Sequence, residues 1–240
     1  VPPAPYVLPV LPLRDKNPTR STPFVTYLFI AINVAVFVFQ ANLSLTAERA
    51  FVSRFGFVPL MLDHQHYVTA FTSMFLHGDI WHLLFNMWSL FIFGDNVEDA
   101  LGKPRYVLFY VLSGVFAAVA QYFIDPLSGV PMVGASGAIA GVLAAYLKLF
   151  PRARVLTLIP LLFFFFLREL PASFFIGFWF VLQLLSGVGL LGGAISGGVA
   201  VFAHIGGFLA GLWLVRGLSP KRNTTGGFRR PLQSHYYNQV

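Results

Sequence analysis

Chemistry in this sequence can be carried by only a few polar side chains, and most of them fall in three short motifs. One reads His77-Gly-Asp-Ile-Trp-His82-Leu-Leu-Phe-Asn86. Another reads Gly134-Ala-Ser136-Gly137-Ala-Ile-Ala-Gly141. The last is Ala203-His204-Ile-Gly-Gly207-Phe-Leu-Ala-Gly211. A Ser hydroxyl within reach of an imidazole can give up its proton as it attacks. His82 and Asn86 are four apart, so they share a helix face, and both can donate hydrogen bonds to a developing negative charge. His77 by itself is better read as a tie between a loop and a helix. As metal ligands this set is weak. His77 and His82 are five apart, no Glu follows as in H-E-x-x-H, and Cys is absent. No metal and no cofactor are expected. The Ser motif is not the hydrolase elbow G-x-S-x-G, because Ala138 takes the last position. A Ser–Lys pair is also disfavoured, since Lys148 lies three turns away.

The surroundings of these motifs set the solvent. Of 240 residues, 57% are hydrophobic, only 10% are charged and 27 are Phe. Mean hydropathy is +0.72. A soluble domain carries about 25% charged residues and must leave much of its surface in water. The composition therefore excludes a soluble enzyme, a nucleic-acid module and a disordered tail. It indicates a polytopic membrane protein. The net charge of +7 does not argue for nucleic acid, because Lys and Arg sit in short loops between apolar runs.

Charged residues mark where helices can cross. A spanning helix needs roughly 20 mostly apolar residues. Spans are expected at Phe24–Ala41, Ile80–Val97, Tyr106–Ile124 and Val133–Leu147. Two more fit in the uncharged run Leu170–Val215, hinged at the glycine-rich stretch Ser186–Gly198. Leu43–Phe75 reads as a long amphipathic loop at the interface. Val155–Leu167, apolar but short, reads as an interfacial or buried loop. The fold class expected is all-α, a six-helix membrane bundle with an amphipathic first loop. With the N-terminus inside, every Lys and Arg except Arg49 and Arg54 lies on the cytoplasmic side. Both termini are then cytoplasmic. The proline-rich start, Val1 to Leu13, reads as a cytoplasmic lead-in and not as a cleaved signal peptide. Three units follow: a lead-in over 1–23, a membrane core over 24–217 and a basic tail over 218–240.

Depth brings the three motifs together. The second, fourth and sixth spans run parallel, from outside to inside. Ser136 precedes Lys148 by twelve residues, His204 precedes Arg216 by twelve and His82 precedes Asp95 by thirteen. At about 1.5 Å per residue all three lie about 18–20 Å from the cytoplasmic helix ends. Asn33, Gln40 and Gln183 complete the polar set inside the spans, and no Asp or Glu falls in the middle of any span. Gly137/Gly141 and Gly207/Gly211 each form a G-x-x-x-G, which lets backbones approach closely enough for a short Ser to meet a His. Gly129, Pro131 and Gly134 precede Ser136 and place it near a helix N-terminus, where free backbone N–H groups favour negative charge.

Together these residues resemble the rhomboid family of intramembrane serine proteases. The resemblance covers the six-helix core and rests on H-x4-H-x3-N, G-x-S-G and A-H-x-x-G-x-x-x-G in the family's order. It implies that Ser136 is the nucleophile and His204 the general base, with His82, Asn86 and the Ser136 N–H as an oxyanion hole. The glycines 134, 137, 141, 207 and 211 would be structural, as would His77. Two features depart from the family. Val68-Thr69 stands where many members have Trp-Arg, and Ala140 where some have a Tyr packing on the catalytic His. Another group must therefore hold the His204 ring. With no carboxylate to orient that ring, a slow dyad enzyme is expected. The implied partners are the lipid bilayer and transmembrane protein substrates that can unwind near helix-breaking residues. The implied location is the plasma or inner membrane of a prokaryote. The aromatic fifth span (Phe174, Phe175, Phe178, Trp179, Phe180) is either a side gate or lipid-facing packing. Two other classes compete: a catalytically inactive relative that binds or escorts transmembrane clients, and a small-molecule channel, which the apolar cytoplasmic helix halves disfavour.

Overall fold

The computed structural model describes residues 11–62, 67–161, 164–191 and 200–219. The first ten residues, most of the glycine-rich hinge and the basic tail beyond Ser219 lie outside the described residues. The chain opens on a short strand, β1 (Leu11–Asp15), and then enters α1 (Phe24–Ala41). Helices α2 (Leu45–Phe55) and α3 (Thr69–Thr72) follow, with single 3-10 turns at Pro59–Met61 and Ser73–Phe75. The segment expected as one long amphipathic loop thus contains short helices. Then come α4 (Ile80–Leu101), α5 (Lys103–Ile124) and α6 (Ser136–Leu149). A hairpin of β2 (Arg154–Leu161) and β3 (Phe164–Pro171) leads into α7 (Ala172–Leu191), and α8 (Val201–Leu218) closes the fold.

Three helices, α1, α5 and α8, are long and apolar enough to cross a membrane, and α6 and α7 contribute shorter apolar stretches. Their outward surfaces carry large apolar side chains such as Val38, Phe123, Leu185 and Trp213. Contiguous exposure of this kind suits lipid and not water. The inner faces of α5 and α6 bury small residues: Ala117, Ala118, Ala138, Ala140, Ala144 and Ala145 are at or near zero exposure.

Small residues decide the packing at the centre. α8 lies against α6 so closely that a methyl group at Gly207 would land on the Gly137 carbonyl. At Gly211 it would stand 2.5 Å from the Cα and carbonyl oxygen of Gly141. The two G-x-x-x-G motifs therefore face each other in register. On its other side α8 abuts α5, where Gly206 meets Ala120. Lipid tails are as apolar as leucine, so helices gain little from burying bulky side chains against each other. Close backbone contact supplies the association instead.

Two buried carboxylates organise the helix ends. Glu98, near the end of α4, accepts from the backbone N–H of Val25 (3.0 Å) and of Thr26 (2.8 Å), and from the Thr26 hydroxyl (2.8 Å). Its negative charge satisfies orphan donors at the positive end of α1. The expected span ends at Val97, just before Glu98. Instead α4 runs on to Leu101, because this residue is more stable against the α1 terminus than in solvent. Asp15 of β1 accepts from the Tyr146 hydroxyl of α6 at 2.8 Å.

The all-α expectation fails in one region. β1, β2 and β3 form an antiparallel three-stranded sheet in that order, with Leu11 opposite Leu158, Asp15 opposite Val155 and Arg154 opposite Pro171. Val155–Leu167 is therefore mostly strand and not loop, and the end of the expected lead-in is its third strand. Short continuous apolar runs fit a strand as well as they fit a loop, and Phe165, Phe166 and Leu167 of β3 are exposed. Pro12 sits where the β1 register shifts, a position that tolerates a missing donor. The Trp88 indole N–H of α4 donates to the Pro12 carbonyl at 2.8 Å, which ties the sheet to the helices.

Two outcomes test this packing. Gly207→Ala should destabilise by about 1–3 kcal/mol through overpacking against backbone. Gly217→Ala in the same helix, with open space around it, should be neutral or stabilising by up to about 1 kcal/mol from helix propensity. Equal melting temperatures for the two variants would show that α6 and α8 do not touch. The second outcome concerns pH. Burial pushes the Asp15 carboxyl up to about 6, so the folded state holds a proton that the unfolded chain releases near pH 4. Stability from this group is present below pH 4 and is lost as pH rises through about 6, by about 3 kcal/mol at most. The melting temperature of Asp15→Asn, measured against wild type from pH 4 to 7, should gain on it across that window; a constant difference would exclude the shift.

Candidate active site

Ser136 is the first residue of α6, and its position depends on Gly134. That glycine has φ +123°, a conformation that side-chain-bearing residues rarely adopt. A Cβ there would also stand 2.7 Å from the His82 ring and 3.6 Å from the Asn86 amide nitrogen. Gly134 donates its N–H to the Ser73 carbonyl at 2.9 Å, which anchors the turn. The first turn of α6 therefore presents its free N–H groups beside Ser136, with His82 and Asn86 pressed against the preceding turn.

His82 and Asn86 are held from α4. Asp79 caps that helix, accepting from the N–H of Trp81 (2.8 Å) and of His82 (2.9 Å). Such a cap contributes about 1 kcal/mol and fixes the first turn on which His82 sits. One turn further, Asn86 donates its Nδ2 to His77 Nε2 at 3.0 Å. An amide nitrogen only donates, so His77 carries its proton on Nδ1. Burial pushes the His77 imidazole down to about 4, which keeps it neutral near pH 7. The backbone of His77 is clamped in turn. Its N–H donates to Gln40 Oε1 at 3.2 Å and its carbonyl accepts from Gln40 Nε2 at 3.3 Å. His77 also meets His82 edge to face, with ring centroids 5.1 Å apart.

His204 stands on α8, three residues before Gly207. Its Nε2 lies 2.7 Å from Ser136 Oγ, a short hydrogen bond across the α6–α8 contact. Its Nδ1 lies 2.9 Å from Gln183 Oε1 on α7, and the Trp179 ring packs on the imidazole with centroids 5.6 Å apart. The structure therefore brings Ser136 and His204 together, and sets His82 and Asn86 beside Gly134 in the same cavity. Gln183 and Trp179 were visible in the sequence only as one polar residue and one of several aromatics. Their four-residue spacing puts both on one face of α7, but nothing in the sequence says that the face turns toward His204. Asn33 does not join the site. It is buried on α1 and donates to the Phe29 carbonyl at 2.8 Å. Val68 and Thr69, at the start of α3, do not line the cavity.

The cavity around these groups measures about 1260 Å³ and is lined from α4, α5, α6, α7 and α8. Phe85, Ser89 and Phe93 line it from α4, Phe175, Phe178 and Leu182 from α7, and Pro12 from β1. It is large enough for an extended peptide segment together with water. A hydroxyl paired with an imidazole, beside two further side-chain donors and a helix N-terminus, can support nucleophilic attack on a carbonyl. Among the described residues no group of three His, Asp or Glu side chains could hold a metal ion.

Fold and site together describe an integral membrane protein with a polar, serine-centred cavity between its helices. A model of the rhomboid domain matches residues 64–221, and the chain belongs to the rhomboid family. It is 29% identical over 191 residues to rhomboid protease GluP of Bacillus subtilis (strain 168), covering 77% of this chain and 35% of that protein. To the putative rhomboid protease YdcA of the same organism it is 45% identical over 76 residues, 32% of this chain and 38% of the relative. To rhomboid protein 1, mitochondrial, of Saccharomyces cerevisiae (strain ATCC 204508 / S288c) it is 32% identical over 138 residues, 54% of this chain and 38% of the relative. The matched regions thus span 35% to 38% of the length of these relatives.

The two His residues of α4 and its lead-in should separate by kinetics. His82→Ala or Asn86→Ala should lower kcat about 10²–10³-fold with KM little changed, the loss typical of one oxyanion donor. The double variant should lose less than the product of the two, because both serve one charge. His77→Ala should instead act first on melting temperature, since it removes the partner of Asn86 and leaves a buried gap. A stable His77→Ala variant that is the slowest of the three would reverse these assignments.

Proposed function

We propose that this chain is an intramembrane serine protease that hydrolyses peptide bonds in or near transmembrane segments of other membrane proteins. The observation that carries this reading is the 2.7 Å contact between Ser136 Oγ and His204 Nε2. Relatives whose names call them rhomboid proteases support it.

His204 Nε2 takes the proton of Ser136 as Oγ attacks the scissile carbonyl carbon. The carbonyl oxygen becomes an oxyanion that accepts hydrogen bonds from His82, Asn86 and the Ser136 backbone N–H. The protonated His204 then gives its proton to the leaving amine, and the carbon–nitrogen bond breaks. Water enters the cavity, loses a proton to His204 and attacks the acyl-enzyme. Collapse of that second intermediate returns the proton to Ser136 and releases the new carboxyl end. No bound metal or cofactor is used in these steps.

In the same reading α1, α4, α5, α6, α7 and α8 are six membrane crossings with both termini on the cytoplasmic side. The core is 24–217, flanked by the 1–23 lead-in and the 218–240 tail, and the α2–α3 region lies at the opposite interface. Arg14, Lys16, Lys103, Arg105, Lys148 and Arg154 would then share the cytoplasmic side, as the positive-inside rule requires. Substrates would be membrane proteins whose helices unwind into the cavity that holds Ser136 and His204.

Purified Ser136→Ala and His204→Ala should each lose more than about 10³-fold in cleavage of a model transmembrane substrate, with unchanged melting temperature. A fluorophosphonate should label wild type at Ser136 and neither variant. Wild-type cleavage by either variant would exclude the proposed mechanism. A wild-type protein that neither cleaves nor labels would point instead to a family member that binds clients without cutting them.

A further inference from the structure

We infer that Gln183 is a positioning residue for the His204 imidazole, and that through it α7 sets the tautomer the Ser–His pair needs. The inference rests on the Ser136–His204 reading above and assigns the group that orients the base. A neutral imidazole has one N–H and one lone pair, and which nitrogen bears the proton is set by the partner of the other. Gln183 Oε1, 2.9 Å from His204 Nδ1, offers only lone pairs. The proton therefore resides on Nδ1, and Nε2 is left with its lone pair aimed at the Ser136 hydroxyl 2.7 Å away. With the amide oriented as it stands, the opposite tautomer would leave the oxygen facing a lone pair, and it would make Nε2 unable to accept the Ser136 proton.

The surroundings of Gln183 support a dedicated role. Apart from Ser173 and Ser186 it is the only polar residue of α7, whose outward face is Phe, Val and Leu. An amide in such a helix is costly unless it has a partner, and its oxygen finds one in His204. Trp179, one turn earlier on the same face, packs on the imidazole at 45° and limits its rotation. An amide bears no net charge, so it orients the ring without the Coulombic help that a carboxylate would give to an imidazolium. Its removal should thus cost less than the roughly 10⁴-fold seen when a triad carboxylate is lost. Because both contacts come from α7, a shift of that helix by about 1 Å would misalign the base, and such a shift can cost about 100-fold.

Gln183→Met removes the acceptor while keeping size and shape, and Gln183→Glu keeps an oxygen in the same place. In detergent-solubilised full chain, Gln183→Met should lose about 10- to 100-fold in kcat and in the rate of fluorophosphonate labelling, with KM within about twofold of wild type. Gln183→Glu should recover most of that loss. Histidine ¹⁵N shifts of wild-type protein, with the His204 signals assigned by their absence in His204→Gln, should report the proton on Nδ1. Wild-type kcat in a stable Gln183→Met, or an Nε2-protonated His204 in wild type, would overturn the assignment. If Gln183→Met fails to fold, the ¹⁵N tautomer decides alone. Cleavage by Ser136→Ala would instead bring down the protease reading itself. A dead Ser136→Ala beside a fully active Gln183→Met would bring down only the role of Gln183.

Discussion

The contact on which everything else depends is backbone against backbone, between α6 and α8. Helices in a bilayer gain no hydrophobic free energy from meeting each other, so their separation is set by how closely main chains can approach. Gly207 and Gly211 leave no room for a methyl group against the Gly137 and Gly141 backbone, while Gly137 and Gly141 turn their own open sides to Ala117 and Ser113 of α5. Ser136 is the neighbour of one of these glycines, and His204 lies three residues, nearly one turn, before another. The separation of hydroxyl and imidazole is thus inherited from the separation of two glycine faces. A Ser side chain has one rotatable bond before its oxygen, and it could not compensate for even one bulky residue at this crossing.

A second set of constraints is polar. Glu98 satisfies the first N–H groups of α1, Gln40 at the last turn of α1 clamps the backbone of His77, and His77 holds Asn86. Both ends of α1 are therefore fastened to α4, and the fastening at one end extends to a side chain of the cavity. None of these groups has water to fall back on in an apolar surrounding, where an unpaired polar group costs several kcal/mol. The network is not fully met, since His77 Nδ1 is buried with no hydrogen-bond partner.

Much of this was legible in the sequence wherever charge and spacing carry the information. The bounds of α1 agree with the expected span because Pro23 and Asn42 sit just outside an uninterrupted apolar run. The facing glycines and the common level of Ser136, His204 and His82 follow from counting residues to the helix ends. Other features escaped for definable reasons. β1 pairs with a strand about 140 residues away, and a five-residue segment containing a proline gives no periodic signal for such a partner. β2 and β3 are apolar without alternation, so they could not be told from a buried loop. Glu98 was taken for a boundary because its charge was counted and its capping partner was not. Gln183 was noticed as polar, but its rotation about the α7 axis depends on packing that spacing does not encode.

The two sides of the cavity are held by different kinds of contact, and this has a mechanical consequence. Ser136 rests on backbone-to-backbone packing, while His82 and Asn86 rest on a capped helix and a buried hydrogen-bond network. α7 meets α8 through side chains: Phe180 stacks on Phe208 at 4.1 Å, Trp179 packs on His204, and Gln183 supplies one hydrogen bond. Side-chain contacts yield by rotamer change at a cost of order 1 kcal/mol, whereas the glycine crossing yields only if a whole helix moves. Deformation that widens the cavity therefore falls first on α7. Ser136, His82 and Asn86 keep their places, and the orientation of the His204 imidazole is what changes. Under the proposed mechanism, a peptide in the cavity would have to leave α7 close enough for Gln183 to reach His204 before the proton on Ser136 has an acceptor.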